Sequence, residues 1–159
     1  MFARFFDSLS RLPPRPALAT AFGLGLLSAL ALPPLHVLPV LLVALPGLVA
    51  LAAGARTWKG AALVGFAWGW GQGLAGIYWV TEAILTDTAN FWWLVPLAAP
   101  ALAIAFGLFA IPPVLAARAL PAGWPRVLGF AAVWVFSEMA RGALFTGFPG
   151  ESGRTIEVR

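Results

Sequence analysis

The chain has 159 residues, of which 61% are hydrophobic and 10% charged, with a net charge of +4 and no cysteine; its mean hydropathy is +0.90. A soluble domain is about 45–50% apolar and about 25% charged, so a solvated globular enzyme is excluded, and so is disorder, which needs low hydrophobicity. Disulfides, thiolate metal sites and cysteine nucleophiles are excluded by composition, and a single histidine, His36, rules out a histidine cluster.

What remains is an all-α, polytopic transmembrane helix bundle. A span takes about 20 apolar residues, so the length holds about five. The isoelectric point near 11.2 does not indicate a nucleic-acid partner, because the basic residues are scattered rather than gathered on one face.

In chain order, residues 1–15 combine Arg4, Arg11 and Arg15 with Phe2, Phe5 and Phe6. That mixture predicts a basic, aromatic segment lying at the membrane surface. The bundle is expected over residues 16–149. Its first span, near 16–32, is short and ends at Pro33-Pro34. A signal peptide with an Ala29-Leu30-Ala31 cleavage site is the competing reading. A double proline and four more apolar runs favour a first hairpin instead.

Further spans are predicted near 35–53, 58–80, 91–117 and 125–145. Prolines suit first helical turns and break interiors. The run over 91–117 is therefore expected to be broken at Pro96, Pro100 and Pro112-Pro113. No second segment mirrors that broken one, so an inverted-repeat transporter is not indicated.

Alternating loops set the orientation. With the N-terminus in the cytoplasm, Arg4, Arg11, Arg15, Arg56, Lys59, Arg118 and Arg126 all fall inside. The outer loops hold no Lys or Arg, and the second of them carries Glu82 and Asp87. This is the positive-inside pattern. Tyr78, Trp79, Trp92 and Trp93 then sit at the outer headgroup level.

The third span carries Ala61, Gly65, Gly69 and Gly73 at intervals of four. Such a stripe lets another helix approach closely or forms a lipid groove, with Trp68 and Trp70 facing lipid or a neighbouring helix. Glu138 and Arg141 are the charges placed inside a predicted span. Their i, i+3 spacing lets them pair on one helix face. A structural ion pair and a headgroup contact both fit them. Glu82 reads as interfacial and His36 as a headgroup contact. Ser137 precedes Glu138, but adjacent helical residues point about 100° apart, so no nucleophile with its base is seen. No catalytic, cofactor or metal site is assigned. Thr146 to Pro149 reads as a turn leaving the membrane.

The stretch Glu138-Met-Ala-Arg141-Gly142-Ala-Leu-Phe-Thr146-Gly147-Phe148-Pro149 resembles the E-x-x-R-G-x-x-x-T-G-F-P pattern of bacterial apolipoprotein N-acyltransferases. Gly76-Ile-Tyr78-Trp79-Val80 is similar to the family's G-x-x-W-[IV] at the end of its third span. The opening hairpin, ending Leu32-Pro33-Pro34, fits as well. The resemblance covers roughly residues 12–149.

It implies a multi-pass enzyme of the bacterial inner membrane. The acyl donor would be a membrane phospholipid, and the acceptor the α-amino group of a diacylglyceryl lipoprotein. The family's bundle of eight spans carries a nitrilase-like domain with a glutamate base, a lysine and a cysteine nucleophile, which forms a thioester. The residues carried over as structural or lipid-contact candidates are Trp79, Glu138, Arg141, Gly142, Thr146, Gly147, Phe148 and Pro149.

Two departures shape the expectation. No cysteine is present, and Gly150 stands where the family usually has a tryptophan. Residues 150–159 turn abruptly polar, with Glu151, Arg154, Glu157 and Arg159. They read as an aberrant or truncated tail, or as a juxtamembrane tail. The expectation is the N-terminal membrane domain of such an enzyme, inactive alone. The alternative is a small non-enzymatic multi-span protein, a transporter or an assembly partner.

Overall fold

The computed structural model describes residues 2–32, 35–76 and 95–145. Among them, all regular structure is helical. The helices are α1 (Phe2–Ser10), α2 (Pro14–Ser28), α3 (Leu41–Gly54), α4 (Trp58–Gly76), α5 (Val95–Ala119) and α6 (Trp124–Phe145). Single 3-10 turns at Ala29–Ala31 and Leu38–Val40 lie between α2 and α3.

The helix ends follow local chemistry. Pro13 precedes α2, whose first turn is proline-rich, where a missing N–H costs nothing. The Thr57 hydroxyl accepts the Gly60 N–H at 3.0 Å and caps α4. Gly123, at φ +101°, makes the turn into α6, a conformation that a Cβ would oppose. Arg126 closes the same turn by donating from Nε and Nη2 to the Leu120 carbonyl at 3.2 and 3.0 Å. The surface segment expected over residues 1–15 is a helix, a short turn and the start of α2, with α1 packed against α3.

Two expectations need adjusting. The run over 35–53 becomes helical only at Leu41, because His36 takes a left-handed φ of 52° and Leu38–Val40 turns first. The run over 91–117 is not broken by its prolines. α5 runs continuously with Pro100, Pro112 and Pro113 inside it. Proline is tolerated in an apolar helix when neighbours satisfy the backbone groups it frees. The indole N–H of Trp70 on α4 donates to the Pro100 carbonyl at 3.3 Å and ties α4 to the proline-bearing start of α5.

α4 is the centre of the bundle, packed between α2 and α5, with α6 laid against α5. The small-residue stripe faces α5 rather than an open groove. A Cβ built at Gly65 would lie 2.8 Å from the Ala110 carbonyl oxygen, and one at Gly73 would lie 2.9 Å from the Ala103 Cα. At Gly69 it would collide with the Phe106 carbonyl. The two backbones touch, as small-residue seams allow. Trp68 is fully buried, and Trp70 sits between Phe22 and Phe66.

Among the described residues, two helices are long and apolar enough to cross a membrane: Ala99–Ala119, with mean hydropathy 2.0, and Trp124–Leu144, with 1.4. Only 28% and 11% of these stretches is buried inside the molecule. Leu108 on α5, and Leu128, Phe136, Met139 and Leu144 on α6, are exposed.

Candidate functional site

The polar centre of the bundle lies where α6 crosses α4 and α5. Ser137, Glu138 and Arg141 come from α6, Gln72 from α4, and Phe106, Phe109 and Ala110 from α5. Together with Trp134 they line a cleft of about 10 Å³, space for about one water molecule.

Glu138 and Arg141 form the ion pair that their spacing predicts. The arginine side chain is 26% exposed and the glutamate 40%. The guanidinium also lies over the Phe106 ring, 4.5 Å from its centroid. Such a cation–π contact is worth about 0.5–2 kcal/mol, more as it is desolvated. The arginine therefore holds two helices at once, through Glu138 on its own helix and Phe106 on α5. Ser137 is buried and lines the same cleft as Glu138, so the two are closer in surroundings than their adjacency in sequence suggests.

Gly142 follows on the exposed side of α6, where a Cβ would meet nothing within 4 Å. Trp79, Thr146, Gly147, Phe148 and Pro149 lie outside the described residues. So do Tyr78, Glu82, Asp87, Trp92 and Trp93, and the tail 150–159.

Gln72 and Phe106 were not anticipated, whereas Trp68 was expected to face lipid or a neighbouring helix. Gln72 is the one amide side chain in the apolar run of α4, a signal that could have marked it. Phe106 carries no such mark, because an aromatic in an apolar helix is ordinary core. Trp68 meets Trp134 edge to face, with ring centroids 5.1 Å apart. Its buried indole N–H has no hydrogen-bond partner among the described residues.

The arrangement pairs charges and clamps helices. Among the described residues it sets no nucleophile beside a base, since Ser137 is the only hydroxyl in the cleft lining and its neighbour Glu138 is engaged by Arg141.

Comparison with known proteins gives the family. The model of the apolipoprotein N-acyltransferase N-terminal domain matches residues 24–155. The chain belongs to the apolipoprotein N-acyltransferase family. An apolipoprotein N-acyltransferase of Sinorhizobium medicae is 35% identical over 138 residues, covering 80% of this chain and 26% of that protein. Another of the same name, from Caulobacter vibrioides, is 41% identical over 139 residues, 84% of this chain and 26% of its own length. A third, from Rhodopseudomonas palustris, is 37% identical over 134 residues, 79% and 24%. The chain thus spans about a quarter of the length of these N-acyltransferases, and it matches their N-terminal domain. The match begins at residue 24, after the resemblance drawn from residue 12, and runs on to residue 155. No solved structure matches the chain.

Proposed function

We propose that this chain is the membrane-embedded N-terminal portion of a bacterial apolipoprotein N-acyltransferase. In this reading it is a bundle of about five spans in the inner membrane, with its N-terminus in the cytoplasm. The activity it serves transfers an acyl chain from a phospholipid to the α-amino group of a diacylglyceryl-cysteine on a lipoprotein. The family match over residues 24–155 carries the proposal.

Physical observations support the membrane setting. The apolar faces of α5 and α6 are turned outward, and monomeric soluble proteins rarely expose apolar patches larger than a few hundred Å². Lipid is the solvent that makes such faces favourable.

The 159 residues contain no cysteine, and acyl transfer through a thioester needs a thiolate. We therefore assign the chain a scaffolding part in the reaction and no acyl transfer by itself. Glu138 and Arg141 act as a clamp between α6 and α5.

Expression in a bacterial strain depleted of its own apolipoprotein N-acyltransferase tests this. The chain should fractionate with the inner membrane and leave lipoproteins diacylated. Triacylated lipoproteins made by the chain alone would overturn the assignment of inactivity. Recovery in the soluble fraction would overturn the membrane setting.

A further inference from the structure

At the end of α4 away from the Glu138–Arg141 pair, α1, α2 and α3 enclose a second, much larger cleft of about 350 Å³. Its size falls within the range of about 300–1,000 Å³ usual for small-molecule sites. Leu9, Leu18, Leu51, Leu63 and Val64 make its wall apolar, and Arg56 and Lys59 stand at its edge. Both basic residues are exposed.

Among the described residues, nothing compensates the charges at this edge. Among the described residues the carboxylates are Asp7 and Glu138. Asp7 is taken by Arg11 at 3.1 Å, and Glu138 by Arg141. No carboxylate among the described residues is left for Arg56 or Lys59. A third cation stands beside them. Arg118 donates from Nη2 to the Arg56 carbonyl at 3.1 Å, and its guanidinium lies 5.1 Å from the centroid of the Trp58 ring. That contact ties the α3–α4 turn to the end of α5 and holds the basic edge in place.

We propose that this cleft binds an anionic phospholipid, one acyl chain against the leucine wall and the phosphate at Arg56 and Lys59. The complementarity is of two kinds at once, an apolar slot and a positive rim, which a free anion or a neutral lipid would each satisfy only by half. The site differs from the Glu138–Arg141 centre in place and in chemistry. It rests on the membrane setting proposed above and not on any part in acyl transfer.

The test uses the full chain. It is reconstituted into vesicles of equal phosphatidylglycerol and phosphatidylcholine, extracted in mild detergent, and the lipid retained per chain is measured by mass spectrometry. Phosphatidylglycerol should be retained in preference. Arg56→Gln with Lys59→Gln should cut that retention about tenfold or more, since a basic residue near an anionic lipid is worth about 1 kcal/mol. Arg4→Gln, which removes a charge away from the cleft, should leave it unchanged. Ala17→Phe, filling the slot with both charges kept, should also lose the lipid. If that variant fails to fold, the two exposed-residue substitutions still decide the matter.

Equal retention by parent and double variant would overturn the proposal, as would equal loss in Arg4→Gln, no preference for the anionic lipid, or displacement of the lipid by inorganic phosphate. A chain that never enters the vesicles overturns the membrane setting as well. A chain that enters them but shows none of the selectivity overturns the lipid site alone.

Discussion

The indole rings of Trp68 on α4 and Trp134 on α6 meet edge to face, with centroids 5.1 Å apart and planes at 81°. α6 otherwise leans on α5, so this contact ties it to the centre of the bundle. Phe130, one turn earlier on α6, stacks at a tilt on the same Trp134 ring. Trp68→Ala should cost about 3–5 kcal/mol, the usual range for deleting a core aromatic. Trp134→Ala, at a less buried position, should cost less. Denaturant unfolding of the detergent-solubilised chain reads both. Equal and small losses would show that α6 is held elsewhere.

Glycines on two helices should respond in opposite ways. Gly69→Ala puts a methyl into the Phe106 carbonyl, and two backbones have to separate to admit it. A loss of about 1–3 kcal/mol is expected from such overpacking. Gly142→Ala places its methyl in open space and removes a poor helix former from α6, so stability should rise by up to about 1 kcal/mol. The two unfolding midpoints, measured side by side, should move apart.

The clamp predicts coupling. Glu138→Gln and Arg141→Gln should each destabilise the chain. The double substitution should cost less than their sum, with a coupling energy of about 0.5–2 kcal/mol. Arg141→Lys keeps the charge but gives up the guanidinium's contact with the Phe106 ring, and should fall between parent and Arg141→Gln. A coupling of zero in a double-mutant cycle would remove the ion pair from the account of how α6 is held.

Much of this architecture was legible in the chain. The structure starts α4 at Trp58 behind a Thr57 cap and α6 at Trp124 behind the Gly123 turn, where the sequence offered only the edges of apolar runs. Gly65, Gly69 and Gly73 announced a close helix contact by spacing alone. The prolines of α5 misled for a physical reason. Breaking a helix at proline treats the lost N–H as decisive, whereas an apolar helix packed among neighbours tolerates it, and here α4 reaches across to α5 through the Trp70 indole and the Pro100 carbonyl. That contact spans 30 residues of sequence, and no local pattern encodes it.

The site was legible in the same partial way. The Glu138–Arg141 pair is local, three residues apart, and followed from helical periodicity. The Phe106 face beneath Arg141 depends on how α6 slides along α5, which apolar patterning leaves free. The cleft beside Arg56 and Lys59 needs four helices in place before it exists at all, so the sequence showed its charges without the slot they border.

The seam between α4 and α5 has a consequence for how this sequence can drift. Across from Gly69 stands a main-chain oxygen, and across from Gly65 another. A carbonyl is common to all twenty amino acids. If a side chain intrudes at either position, no exchange at Phe106 or Ala110 removes the carbonyl it strikes, although trimming Ala110 would relieve the Cβ contact at Gly69. Elsewhere in the core, an enlarged residue can be rescued by trimming its neighbour. Here the facing residue gives at most partial rescue, and a suppressor screen starting from Gly69→Ala should return mainly revertants or changes that shift a whole helix.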